Sequence, residues 1–261
     1  MGLFTDQKCD LVGMVHLKPL PGSPGWAQDM QSIESAALHD ATLLREGGCQ
    51  ALIVENMGDA PYLNGRVHPE TVAAMARIVA EVVKLGLPTG VQVLAGANAE
   101  ALGVAVAAGA QFIRVEGFAY GHLADEGWIE ACAGELLRSR ARLQSEVAIW
   151  ADVQKKHASH AITADLSLSE LAHGHAFCGA DVLIATGQRT GGRTRLQDVE
   201  ALRDAGLPVV VGSGVDLEDA AVLGKRADAL IVGSALKEQG NWRSPVELGR
   251  VRALSEILSV L

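Results

Sequence analysis

Five ionisable side chains stand at the ends of apolar runs, where they could move protons. Glu55 closes Ala51-Leu52-Ile53-Val54, Glu116 closes Phe112-Ile113-Arg114-Val115, and Asp152 closes Ala148-Ile149-Trp150-Ala151; Lys155 and His157 follow Asp152 in the next loop. A carboxylate with an amine or imidazole partner suits general acid/base work, such as taking a proton from the carbon beside a carbonyl. The same three acids, Glu55, Glu116 and Asp152, with His157 or His16, also form a donor set for a divalent metal ion. Spacing does not separate the two readings. A Schiff-base lysine is a third; no lysine lies within an expected strand, and Lys155 and Lys156 fall in a loop.

A second chemistry is written in the last quarter of the chain. Val209-Val210-Val211 runs into Gly212-Ser213-Gly214, and Ala229-Leu230-Ile231-Val232 runs into Gly233-Ser234. Glycine lets backbone approach a ligand, and the amides that open the next helical turn are free to bind an anion. Two such steps on adjacent parallel strands would make a phosphate cup, which Gly187, with Thr190-Gly191-Gly192, could extend. That placement is typical of the loops after strands 7 and 8 of a (β/α)₈ barrel.

These side chains need eight strands to position them, and eight are legible. Apolar runs at 11–15, 51–56, 90–95, 112–116, 147–153, 181–187, 209–211 and 229–232 alternate with helical patterns at about 30–46, 70–85, 99–108, 128–144, from 167, 196–205, 217–223 and 245–260. Ser167-Leu168-Ser169-Glu170 has the spacing of a capping box. The regular alternation, with no intervening linker, predicts one α/β domain over 1–261, a TIM barrel. An open sheet would require a glycine-rich dinucleotide fingerprint after the first strand, and residues 13–21 do not supply one. Strand parity then turns Glu55, Glu116 and Asp152 inward at the C-terminal mouth, with Arg114 one layer below Glu116 and able to hold an acid ionised. The long stretches 57–69 and 117–127 read as loops over the mouth. His68, His122, His173 and His175 read as surface residues.

Composition limits the partners. The 261 residues are 49% apolar but only 4% aromatic, which fits an aliphatic barrel core. The formal charge of −9 and the absence of a basic cluster argue against nucleic acid. No apolar run reaches the ~18 residues of a membrane span, and the start of the chain lacks the pattern of a signal peptide. Cys9, Cys49, Cys132 and Cys178 form no CxxC pair and read as reduced thiols of a cytoplasmic protein. The apolar last helix and the Ala-rich third helix would permit a homodimer.

Several motifs together resemble the BtpA/SgcQ family. They are Gly13-Met14-Val15-His16-Leu17 with Pro19-Leu20-Pro21-Gly22, Glu55-Asn56-Met57-Gly58-Asp59-Ala60-Pro61-Tyr62, Asp125-Glu126-Gly127 leading into Ala131–Arg138, Ala151-Asp152-Val153 with Lys155-Lys156-His157-Ala158, and the two Gly-Ser loops. The resemblance spans nearly the whole chain. It implies a barrel of the ribulose-phosphate-binding type, a photosystem I biogenesis role for cyanobacterial members and a sugar-utilisation setting for others. Common bacterial members carry an Asn-rich pattern where this chain has Gln92–Asn98 and Arg114–Phe118, so it is similar to the branch also found in animals. The combined expectation is an enzyme acting on a phosphorylated sugar or nucleotide-derived molecule, an isomerase or lyase. A metal-dependent hydrolase and a non-catalytic assembly factor are the alternatives.

Overall fold

Alternate residues of the eight apolar runs fall into two separate cores, which is what a closed barrel requires. The computed structural model describes residue 4 and residues 8–187, 194–212 and 214–261. Its parallel strands are β1 (Asp10–His16), β2 (Ala51–Glu55), β3 (Thr89–Gln92), β4 (Phe112–Val115), β5 (Ala148–Asp152), β6 (Val182–Ala185), β7 (Val209–Val211) and β8 (Ala229–Val232). Each pairs with its neighbours in sequence, and β1 closes the ring, with Gly13 opposite both Leu52 of β2 and Val232 of β8.

One parity, including Val12, Met14, Ile53, Phe112, Trp150, Ile184, Val210 and Ile231, fills the barrel interior. The other, including Leu11, Leu52, Val91, Ile113, Leu183 and Leu230, packs under the surrounding helices. Large rings occupy the inner layer on one side. Phe112 stacks on Trp150 with centroids 4.1 Å apart, and Phe4 covers Trp150 at 5.5 Å. Gly90 on β3 leaves room for Phe112, because a Cβ there would run into the phenyl ring.

The outer layer is α1 (Met30–Glu46), α2 (Pro69–Val83), α3 (Asn98–Ala108), α4 (Ala133–Arg142), α5 (Leu168–Phe177), α6 (Leu196–Arg203), α7 (Leu217–Leu223) and α8 (Leu248–Ser259). Local signals set their ends. Asp29 caps α1 by accepting from the Ser32 amide at 3.0 Å. Gly109, at φ +78°, stops α3 in the left-handed region that glycine favours. Ser167 and Glu170 form the expected reciprocal capping box on α5. Among the described residues, no helix is long and apolar enough to cross a membrane.

Four segments differ from the sequence expectation. The third strand ends at Gln92 instead of continuing to residue 95, because the Leu94 amide donates to Asn56 Oδ1 at 2.7 Å. The segment after β4 is no plain loop: His122–Ala124 and Gly127–Ile129 form an antiparallel hairpin, and Ala158–Ser159 adds a third strand. Trp128 therefore lies in that hairpin, and α4 begins only at Ala133. The last helix starts at Leu248, since Val246 upstream gives its amide to Asp40 Oδ1 at 2.9 Å.

Candidate active site

The C-terminal ends of the strands surround a cavity of about 660 Å³, within the range of small-molecule sites. Glu55, Glu116, Asp152, Lys155 and His157 all line it, as do Gly212, Gly214, Gly233 and Ser234. Parity delivers the three acids: each stands two residues beyond an inner-core residue, Ile53, Arg114 and Trp150 respectively. Ser213 and Thr190-Gly191-Gly192 lie outside the described residues. Gly187 is buried and is not part of the cavity wall.

Asp152 is committed to Arg114. The guanidinium donates from Nε to both carboxylate oxygens, at 3.3 and 3.1 Å, and from Nη2 to Oδ1 at 3.1 Å. Both side chains are at least nine-tenths buried, so each charge depends on the other. This corrects the metal reading of Glu55, Glu116 and Asp152: Arg114 already holds both oxygens of Asp152. Among the described residues, no three His, Cys, Asp or Glu side chains come together in a way that could hold a metal ion.

Glu116 has a different environment. Its Oε2 has no hydrogen-bond partner, and Lys155 Nζ stands 3.6 Å away. Lys155 is held more tightly by Glu126 from the hairpin, at 2.6 Å. Burial is the largest influence on Glu116 and pushes its carboxyl up to about 7, with Lys155 opposing and Asp152 adding to the rise. A carboxyl in that range exchanges protons readily near neutrality.

Glu55 is also raised, chiefly by burial, with Arg114 and Lys156 opposing. His16 Nε2 lies 3.5 Å from Glu55 Oε2. Burial and then the nearby Lys237 lower the His16 imidazole to about 3, so it is neutral at physiological pH and the contact is no ion pair. His157 is exposed at the rim, in a left-handed conformation at φ +54°.

The two glycine steps serve packing first. A Cβ on Gly233 would lie 2.8 Å from His16 Cε1, and one on Gly212 would strike Ile184 and approach Arg114 Nη2. These glycines make room for inward side chains of neighbouring strands while leaving backbone exposed to the cavity. The start of α7 is already satisfied, since Asp216 accepts from the Glu218 and Asp219 amides at 2.9 and 3.0 Å. Gly212, Gly214 and Gly233 line the cavity, as does the start of the 3₁₀ turn Ser234–Leu236.

Sequence reasoning missed several neighbours. Lys156, read from the sequence as a loop-borne and weaker Schiff-base candidate, faces the cavity among Arg114, Asp152, Glu55 and Glu116. Tyr62 and Trp242 also line it, brought in by loops whose course has no local signature. Asn56 and Asp59 act as scaffolding: Asn56 Nδ2 donates to Asp59 Oδ2 at 3.0 Å, and Asp59 Oδ1 accepts the Leu20 amide at 2.7 Å, tying the first two loops together. Two of the four histidines read as surface residues are buried. His175 is fully enclosed in α5, with Nδ1 2.9 Å from the Leu171 carbonyl oxygen. His122 packs against His160 beneath the hairpin, and burial lowers it to about 4. His68 and His173 are exposed, as expected.

Fold and site together define a (β/α)₈ barrel with its ionisable groups gathered at the C-terminal mouth. Its shape is similar to that of phosphoribosyl anthranilate isomerase from Thermus thermophilus, with a TM-score of 0.59 over 96% of this chain and 98% of that one at 18% identity. The family can be named from the sequence: residues 7–259 match the BtpA family model, and the chain belongs to the BtpA family. It is 39% identical to an uncharacterized protein of Caenorhabditis elegans described as mitochondrial, over 99% of this chain and 96% of that one. It is 38% identical to the photosystem I biogenesis protein BtpA of Synechocystis, over 95% of this chain and 88% of that one.

Proposed function

We propose that the protein is an enzyme that moves a proton beside the carbonyl of a small phosphorylated molecule, as an isomerase or a lyase does. The observation that carries this reading is Glu116, buried at the mouth of a barrel cavity, with one carboxylate oxygen that makes no hydrogen bond and faces the Lys155 amine at 3.6 Å. A group poised near neutrality in a partly dry site can accept and return a proton. Glu55 and Lys155 complete the acid/base set, and the Arg114–Asp152 pair fixes the charge beneath it. Gly212, Gly214, Gly233 and Ser234 would receive the phosphate. The phosphoribosyl substrate in the name of the Thermus barrel supports the same assignment by analogy of fold. A reducing compartment fits the four free cysteines: the cytoplasm or, following the description of the worm relative, a mitochondrion.

The test is a thermal-shift panel of sugar phosphates, nucleotides and inorganic phosphate, followed by NMR of each hit in deuterated buffer. A ligand at ~100 times its dissociation constant adds about 2.7 kcal/mol of stability. The expected result is a phosphorylated hit whose carbon-bound proton exchanges with solvent, with exchange lost in Glu116→Gln. The name of the Synechocystis relative favours a second reading, a non-catalytic assembly factor. That reading predicts no hit in the panel and a protein partner retained by Glu116→Gln.

A further inference from the structure

Two lysines follow β5 in succession, and the fold gives them different situations. Lys155 is clamped between Glu126 at 2.6 Å and Glu116 at 3.6 Å. Lys156 is partly buried and lines the same cavity, yet no carboxylate lies within ion-pairing distance of its amine among the described residues. Its charged surroundings come from three strands: Arg114 and Glu116 from the end of β4, Asp152 from β5 and Glu55 from β2. Asp152 is already neutralised by Arg114.

We propose that Lys156 is a covalent nucleophile, forming an imine with a carbonyl-bearing ligand in the barrel mouth. This rests on the proton-transfer reading above and adds to it the means of activating the substrate. In the free-amine form, Nζ adds to the carbonyl carbon: the C–N bond forms, and the carbonyl π pair becomes an alkoxide that takes a proton from the Glu116 carboxyl. The proton then shed by the new ammonium returns to Glu116. Passed on to the hydroxyl, it expels water and leaves the C=N bond. The protonated imine draws electrons from the neighbouring carbon, which eases the deprotonation or bond cleavage that an isomerase or lyase performs.

Burial, with Arg114 next, lowers the Lys156 ammonium from 10.5 to about 8. At pH 7 its free-amine fraction is therefore about 300 times that of an ordinary lysine. Lys155 moves the other way, because Glu116 and Glu126 raise it despite its burial.

The experiment incubates the whole protein at pH 7 with glycolaldehyde phosphate or glycolaldehyde and sodium cyanoborohydride, then maps adducts by peptide mass spectrometry. Lys84, two-thirds exposed, serves as the internal reference. The expected outcome is an adduct on Lys156 that forms about two orders of magnitude faster than on Lys84 and is absent in Lys156→Arg. Folding of that variant is checked by its melting curve. Labelling spread evenly over surface lysines, or concentrated on Lys155, overturns the proposal. So does solvent exchange at full rate in Lys156→Arg, and in that case the proton-transfer reading survives without the imine. Loss of exchange in Glu116→Gln, with no Lys156 adduct in the parent, likewise separates the two ideas.

Discussion

Replacing Glu116 by Gln should stabilise the protein above neutral pH and leave it nearly unchanged in mild acid. The carboxyl is raised from 4.5 to about 7 in the folded state, so between these values the folded chain binds a proton that the unfolded chain has released. Stability therefore falls as pH rises across that window. Below pH 4.5 both states are protonated and there is no penalty; above 7 both are ionised and the penalty is complete, about 3 kcal/mol. Gln removes it while keeping shape and volume, and Lys155 retains Glu126 at 2.6 Å. Urea melts of parent and Glu116→Gln should differ by less than about 1 kcal/mol at pH 5, and the variant should be ahead by about 3 kcal/mol at pH 8. In a thermal scan that corresponds to roughly 5–10 °C. A variant that is less stable at pH 8, or that gains equally at both pH values, would refute the assignment of Glu116 as a buried carboxyl held near neutrality. Stability gained while exchange chemistry is lost is the expected signature of a functional group kept at a structural cost.

Three further outcomes follow from the geometry. Arg114→Met should cost about 3–5 kcal/mol by leaving Asp152 charged and unpaired in the interior; adding Asp152→Asn should restore most of it, and a double-mutant cycle from urea melts measures the coupling. Gly233→Ala places a methyl 2.8 Å from His16 Cε1 and should cost about 1–3 kcal/mol in the same melts, an effect that an inert turn glycine would not show. Asn64→Ala removes two hydrogen bonds, to the Glu126 and Trp128 carbonyl oxygens at 3.1 and 2.9 Å. Hydrogen exchange in residues 122–129 should accelerate while barrel amides stay protected; unchanged hairpin exchange would show that other contacts hold it.

The eight strands and eight helices were legible in the sequence because each is encoded locally: β-branched apolar runs of strand length, glycine at helix ends, and the Ser167–Glu170 cap. Strand alternation was enough to turn Glu55, Glu116 and Asp152 to the mouth, since a two-residue period within a closed sheet leaves no other face for a charge. What the carboxylates do once there was not legible. Carboxylates at the same register became one acid hydrogen-bonded to a guanidinium, Asp152, and two raised ones, Glu55 and Glu116. That difference depends on Arg114 reaching across strands and on how much water each group has lost. Lys155 and Lys156 are adjacent and chemically identical, yet the hairpin brings Glu126 to the first and leaves the second facing the cavity. His122 and His175 look polar in sequence and are enclosed, because they lie on the inward faces of the hairpin and of α5. Local propensity is written residue by residue, whereas desolvation and charge pairing depend on groups far apart in the chain, so only the closed barrel could assign these side chains their roles.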